Sequence, residues 1–485
     1  MSKFQEASAY QVPDTTSYSL IPFNFINIGN DRYRIVSMVG DFAELDRNGL
    51  NALVDRTLTS DSELYRNLRS RGFLFDSHTK YNVDLSAIKL RTKMAHVLHL
   101  TSLHIFVMSL RCEHSCPYCQ VSRQNIDANN LFDMTEDFAD KALAVTFSSP
   151  SQHVKIEFQG GEPLLNFDLL AHTVRRASEL GEAHKKTVEF VIATNLAVID
   201  EEMLRFCRAY SIKISTSLDG PRNLHNANRP RPGKDSYERT IEGIKLSRQY
   251  LGHDAVSALM TTSPLSIGSF KEIVDEYIAQ EFGGIFLRPI SPYGFAVKTK
   301  WAQKYSMDEW LDAYREALTY IVEINLKGFH FVEFYTALIA RRILKPHYTG
   351  YVDLQHPSGV GFSALIYNYN GKVFSSDEGR MLAEMGDESF CIGHLNNDSY
   401  ADLITSDALV AQIGDSFGYT ASRCDQCAYL PYCGSDPTYH YATQNDYMGN
   451  KNYSGFCDRQ MGVIEHVFEM LKDDATREII EGWIS

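Results

Sequence analysis

Between residues 102 and 289 the sequence alternates apolar, β-branched stretches with helical ones, and this alternation restricts the fold more than any other feature. Strands are expected at 102–110, 153–159, 187–194, 212–218, 255–262 and 284–289, with helical stretches at, for example, 135–147, 166–180, 200–210, 237–250 and 268–280. Six strand–helix units in succession call for a parallel sheet, because parallel neighbours are joined only by a crossover. A repeat of roughly 30–45 residues suits a barrel or partial barrel, and the expected class is α/β. Reactive groups in such folds gather where the strands end, so the residues after each strand matter most.

The flanks read differently. Phe23–Ile28 and Tyr33–Val36 surround the turn Gly29-Asn30-Asp31 and predict a hairpin that continues to Leu45, after an irregular lead-in over 1–20. One helix follows from Asp46, carrying Leu50, Leu53 and Val54. A second opens on a Ser60/Glu63 capping box, places Leu64 and Leu68 on one face and stops at Gly72. The division expected is a small winged-helix-like module over 1–95, the barrel over 96–305, a helical linker over 306–345 and a cysteine-bearing domain over 346–485. The alternative for the first of these is an extension packed on the next domain. A net charge of −14 over 485 residues argues against a broad nucleic-acid-binding face. There is no run of about 20 apolar residues and no apolar core of a signal peptide at the start, so a cytoplasmic protein without membrane or nucleic-acid partners is expected.

Nine cysteines, an odd number in such a chain, do not suggest a disulfide framework. Cys207 and Cys391 read as core residues, and the other seven fall into two clusters. Cys112, Cys116 and Cys119 have the spacing C-x3-C-x2-C directly after the first barrel strand. Three thiolates on one loop can hold three irons of a [4Fe–4S] cluster and leave the fourth open. His114 lies within the same tight loop, which is poorly built to complete a tetrahedral zinc site. Cys424, Cys427, Cys433 and Cys457 form a four-thiol set that suits a cluster or a structural zinc. Gly160-Gly161-Glu162 follows the second barrel strand: the glycines permit close backbone approach, and the carboxylate can pair with an ammonium.

The cysteine triplet resembles the signature of the radical S-adenosylmethionine (SAM) enzymes. That resemblance implies a SAM-binding [4Fe–4S] cluster whose open iron chelates the methionine amine and carboxylate. Reductive cleavage of SAM then yields a 5′-deoxyadenosyl radical that abstracts hydrogen from substrate. It also implies roles by position. Tyr118 lies near the adenine, Gly160, Gly161 and Glu162 meet the methionyl amine, and Ser217 and Arg229 contact ribose and carboxylate. Asn195 follows the third strand in Thr194-Asn195, where Leu196 stands in place of the family's glycine. Arg288 ends the sixth strand at the same mouth, and Asp219-Gly220 reads as a turn.

The C-terminal cysteines resemble a SPASM extension with only part of its ligands. Ser358, Ser376 and Pro437 stand where cysteines of the first auxiliary cluster are expected. One auxiliary [4Fe–4S] cluster on Cys424, Cys427, Cys433 and Cys457 is therefore implied, for electron transfer or to hold the domain together, with zinc as the alternative. Asp377 follows a lost cysteine where sulfatase-maturing relatives carry a proton-accepting acid; it reads otherwise as a solvated loop residue. The N-terminal module resembles the element of ribosomal peptide maturases that binds a leader as an added strand. The whole chain looks most like the maturase of His-Xaa-Ser peptide systems. The expected partners are a precursor peptide, a second radical SAM enzyme and an electron donor such as flavodoxin or ferredoxin. The competing expectations are a sulfatase-type formylglycine-generating maturase and a non-catalytic iron–sulfur or zinc scaffold.

Overall fold

The computed structural model describes residues 18–128, 130–347, 350, 354–356 and 358–485, so most of the expected lead-in lies outside the described residues, as does Pro357. The chain forms two compact units. The N-terminal unit comprises 18–95 together with 342–347 and 418–433, and the barrel unit comprises the rest.

In the N-terminal unit the expected hairpin gains a third strand. β1 (Phe23–Asn27), β2 (Arg32–Ser37) and β3 (Phe42–Asp46) form an antiparallel sheet in that order. Asn30 and Asp31 take the left-handed backbone that a tight turn after Gly29 requires. Asp46 caps α1 (Arg47–Val54) by accepting the Gly49 N–H. The next helix, α2 (Glu63–Ser70), starts later than the expected capping box. Ser62, not Ser60, accepts the orphan Tyr65 N–H, and Ser62 O–H is itself held by the Thr59 carbonyl. α3 (Tyr81–Lys93) completes the unit, whose core is built on Ile35, Leu53, Leu68, Phe73 and Leu74.

The barrel unit is organised by one eight-stranded sheet. Its strands are β4 (Leu103–Ser109), β5 (His153–Gly160), β6 (Thr187–Thr194), β7 (Lys213–Ser217), β8 (Val256–Leu259), β9 (Ala364–Tyr367), β10 (Lys372–Phe374) and β11 (Cys391–His394). The spatial order is β8-β7-β6-β5-β4-β9-β10-β11; β8 through β9 run parallel and the last two are antiparallel. Helices α4 (Glu136–Ser148), α5 (Phe167–His184), α6 (Glu201–Ala209), α7 (Ser236–Leu251) and α8 (Phe270–Ala279) connect or follow the parallel strands. α9 (Met307–Leu326) covers much of the expected linker. On β5, Val154, Ile156 and Phe158 are buried with Leu143 of α4 and Val174 of α5, which leaves Glu157 and Gln159 on the opposite face.

The sixth expected strand departs from this pattern. Only Gly284–Ile285 is extended, and it pairs with Val332–Glu333 in a separate two-stranded sheet; one bridge, Thr262 to Pro289, reaches back toward β8. The ladder cannot continue because the Leu287 N–H is taken by the Glu333 carboxylate at 3.0 Å and Pro289 has no N–H. Five barrel strands therefore form the ladder, and its other edge is extended by β9. No helix among the described residues is long and apolar enough to cross a membrane.

Candidate active site

The cysteine loop begins where β4 ends. Asp133 accepts from Ser109 Oγ (2.6 Å), Arg111 Nε (2.9 Å) and Arg111 Nη2 (2.7 Å), which anchors the entry to the loop. Beyond it, Ser115 N–H donates to Pro230 O at 2.7 Å and Phe295 N–H to Cys119 O at 2.7 Å. Gly294 has φ +58°, and a Cβ there would stand 2.2 Å from the Gln120 carbonyl, so only glycine fits beside the third cysteine. His114 is buried with both ring nitrogens engaged: Nδ1 lies 3.0 Å from Glu113 Oε1 and Nε2 lies 2.7 Å from Ser236 Oγ. Burial pushes the Cys112 thiol well above its ordinary value and Cys116 up to about 12. The positive charge of a bound metal would oppose this effect of burial.

The glycine pair has a reason that the sequence did not reveal. Ser109 lies opposite Gly160 in the β4–β5 ladder, and a Cβ on Gly160 would stand 2.0 Å from the Ser109 carbonyl. A Cβ on Gly161 would stand 2.4 Å from the Leu110 carbonyl. The neighbouring backbone itself demands glycine at both positions. Glu162 is fully buried and does not line the site cavity. Its carboxylate accepts from Leu164 N–H (3.0 Å), Thr194 Oγ1 (2.7 Å) and Asn195 N–H (2.9 Å), joining the β5 and β6 loops. Burial, reinforced by Glu113, raises its pKa to about 8. Asn195 is fixed by that bond, and its Oδ1 accepts Ala197 N–H at 2.8 Å. Leu196 takes φ +64°, the conformation that suits the glycine it replaces; Gly243 of α7 makes room, since a Cβ there would stand 2.6 Å from Leu196 Cβ.

Asp219, read from sequence as a turn residue, is the anchor of the next wall. Fully buried, it accepts from the Tyr118 hydroxyl and lies 3.1 Å from Arg229 Nε, while the guanidinium sits 5.5 Å from the Tyr118 ring centre. Burial opposes the charge of Arg229, and the facing Asp219 carboxylate more than offsets this and holds the guanidinium above its ordinary range. Asp219 N–H approaches His225 Nδ1 at 3.3 Å, and His225 Nε2 shares Ser236 Oγ with His114. A buried polar chain thus links the cysteine loop to the end of β7. Its sequence trace is His225 and Ser236 downstream of the Asp219-Gly220 turn, which no local pattern connects to Cys112.

These elements enclose a cavity of about 310 Å³. Cys112, Cys116 and Cys119 line it with Tyr118, and so do Gly160, Gly161, Asn195, Ser217 and Arg229. Arg288 and Asp377 reach it as well. Asp377 opens α10 (Asp377–Ala383), where its Oδ1 accepts from Nε of the fully buried Arg380 at 2.8 Å. Glu157, not anticipated, is a second carboxylate in the cavity. It stands in the ladder between Ile105 and Val191 and accepts from Gln159 Nε2 at 2.8 Å. Burial raises its pKa, with the charge of Asp377 adding to the effect. Thr216 Oγ1 and Gln120 Oε1 on the cavity wall are buried without a hydrogen-bond partner. Three thiols beside unmet polar atoms fit a cluster together with a polar ligand.

The second cysteine set is divided between the units: Cys424, Cys427 and Cys433 belong to the N-terminal unit and Cys457 to the barrel unit. Where cysteines were expected, Ser376 caps α10 by accepting Gly379 N–H and lies 3.1 Å from the hydroxyl of Thr438, beside Pro437. Gly361 N–H, three residues past Ser358, bonds to Ser375 O. Cys207 is a core residue, and Cys391 lies in β11 with its S–H on Gly393 O.

Residues 106–277 match the model of the Radical SAM superfamily. That stretch of the chain is similar to a radical SAM domain. It is 26% identical over 155 residues to a cysteine-type anaerobic sulfatase-maturating enzyme of Clostridium perfringens, a match spanning 31% of this chain and 41% of that one. The radical SAM fold also aligns with native anSMEcpe with bound AdoMet at a TM-score of 0.63 and 16% identity, covering 78% of this chain and 100% of that one. With Streptococcus suis SuiB bound to precursor peptide SuiA the TM-score is 0.51 at 15% identity, covering 89% and 98%. Similarity to that superfamily over 106–277 implies a [4Fe–4S] cluster and SAM, and the relatives it matches include sulfatase-maturating enzymes.

Proposed function

We propose that the chain is a radical SAM maturase that modifies a ribosomally made precursor peptide, of the His-Xaa-Ser type, by 5′-deoxyadenosyl-radical hydrogen abstraction. The observation that carries this reading is the single cavity shared by the three cysteines, the strand-end loops and two carboxylates. When bound, the cluster and SAM supply the radical. Cys112, Cys116 and Cys119 hold three irons; Ser217 and Arg229 bind the ribose and carboxylate of SAM. Arg229 is kept charged and oriented by Asp219, and Tyr118 is fixed on the same carboxylate. Gly160, Gly161 and Glu162 meet the methionyl amine, and Glu162 also holds the Thr194–Asn195 loop. Asp377 and Glu157 are the groups available to accept a substrate proton.

Residues 1–95 form the peptide-recognition module in this reading, 96–305 the barrel and 346–485 a SPASM-like region. The three-stranded sheet supports it, since a sheet edge accepts an extended peptide as a further strand. Streptococcus suis SuiB, whose fold this chain shares, binds a precursor peptide of its own, SuiA. An auxiliary cluster or a zinc is held by the loop of Cys424, Cys427 and Cys433. A flavodoxin or ferredoxin supplies electrons, a second radical SAM enzyme acts alongside, and the protein works in the cytoplasm. A sulfatase-type formylglycine-generating activity is the second reading, favoured by Asp377 in the cavity and by the Clostridium perfringens relative.

The test uses anaerobically reconstituted full chain with a synthetic His-Xaa-Ser repeat peptide deuterated at carbon. Deuterium in 5′-deoxyadenosine and an altered peptide mass are expected. Turnover only with a sulfatase-derived Cys or Ser peptide would transfer the assignment to the second reading. About eight irons per chain are expected for two clusters, against about four plus one zinc for the zinc alternative.

A further inference from the structure

The loop bearing Cys424, Cys427 and Cys433 lies far along the chain, yet it is built into the N-terminal unit. Asn24 of β1 donates through Nδ2 to the carbonyls of Asp425 (3.1 Å) and Cys427 (3.2 Å). Arg34 of β2, fully buried, donates through Nη1 to the Tyr429 hydroxyl at 3.0 Å and through Nη2 to Glu44 of β3 at 2.7 Å. The Tyr432 hydroxyl donates to the Gly40 carbonyl in the turn between β2 and β3 at 2.8 Å. All three strands of the sheet are thereby tied, directly or through Arg34, to residues within or between the cysteine spacings. The loop has its own turns, Cys427 N–H to Cys424 O and Cys433 N–H to Tyr429 O, each 3.0 Å. Three soft thiols on one such loop are the donor type that a cluster or a zinc takes.

We propose that the β1–β2–β3 sheet is the scaffold of the second cysteine site, so that metal occupancy of Cys424, Cys427 and Cys433 and the order of the sheet are thermodynamically coupled. The linkage is reciprocal. A metal that binds only when the loop is held stabilises the contacts that hold it, and whatever orders the sheet raises metal affinity by the same factor. The coupling itself needs no substrate. Taken with the peptide-recognition role proposed above, it makes capture of a precursor conditional on metal loading, so a metal-depleted chain would not engage peptide.

The test is amide hydrogen exchange on the full chain, loaded anaerobically with iron and sulfide or stripped with a ferrous chelator. Loading slows exchange across residues 23–46 by about fivefold or more, and the Cys424→Ala/Cys427→Ala variant loses that protection while keeping the iron of the other site. Asn24→Ala, a change outside both cysteine sites and outside the core, speeds iron loss from the second site to the chelator by about fivefold and leaves the first unaffected. Should the double cysteine variant fail to fold, the loaded-against-stripped comparison and Asn24→Ala still decide the matter. Equal exchange at 23–46 in loaded and stripped chains, or unchanged iron loss in Asn24→Ala, overturns the coupling. Neither measurement uses peptide or SAM turnover. An unmodified peptide would therefore sink the proposed function and leave this result standing.

Discussion

The two cysteine loops are held in different ways. The loop of Cys112, Cys116 and Cys119 leaves the end of one strand and is gripped by its own barrel through backbone as well as side chains: Ser115 on Pro230, Cys119 on Phe295 and Gly160 against Ser109, beside Arg111 on Asp133 and His114 on Ser236. The loop of Cys424, Cys427 and Cys433 is held chiefly through side chains across great sequence distance. Asn24, Arg34 and Tyr432 make contacts spanning 401, 395 and 392 residues. Backbone grip leaves little freedom, whereas side-chain grip can be loosened one group at a time. The first arrangement suits a site whose geometry must not vary, and the second suits one whose loading is tied to its surroundings.

The largest effect expected from this contrast is functional. Cys116→Ala should abolish formation of 5′-deoxyadenosine from SAM and dithionite, and Cys427→Ala should leave it measurable; equal loss in both would erase the distinction. Next is a pair of glycines. Gly160→Ala forces a Cβ to 2.0 Å from a carbonyl, while Gly40→Ala meets the Tyr432 ring at 3.0 Å and the tip of Lys93 at 3.2 Å. Urea unfolding should show a loss of about 3 kcal/mol or more for the first and about 1–2 kcal/mol for the second, where strain at positive φ adds to a softer clash. Asp219→Asn leaves Arg229 and Tyr118 without their shared anion and should weaken SAM binding about tenfold, read by equilibrium dialysis. Asn24→Ala should not change it.

The smallest effect is a pH slope in the barrel core. His104 is fully buried with Nδ1 2.9 Å from the Tyr367 hydroxyl, and burial lowers its pKa to about 3. The unfolded chain therefore binds the extra proton between about pH 6.5 and 3, and stability contributed by neutral His104 is lost as pH falls through that window. Urea midpoints should drop from pH 6.5 to 5, by at most about 1.4 kcal/mol per unit for this one group, and His104→Gln should flatten the slope.

The barrel strands were legible because burial against helices enforces a period of two on β5 and near-continuous apolarity on β4, and both patterns are local. The cysteine spacing was legible for the same reason. The shortened sixth strand was not, since its fate depends on Glu333 reaching the Leu287 N–H from 46 residues away. Glu162 was read by its charge, whereas its three partners lie on loops the sequence does not connect. Asp219 looked like an ordinary turn residue because Tyr118 and Arg229, which give it meaning, lie on other segments. Leu196 is the converse case: the missing glycine was visible, and the relief offered by Gly243 was not.

The pairing of β4 with β9 has a consequence for biosynthesis. Leu103 finds its partner in Ala364, so one edge of the first barrel strand stays open until the ribosome has released residues far beyond the barrel. During that interval its unpaired amides and carbonyls are a template for any other extended chain. A polypeptide ended at residue 305 would keep that edge open, and it should clump more readily than one that carries β9.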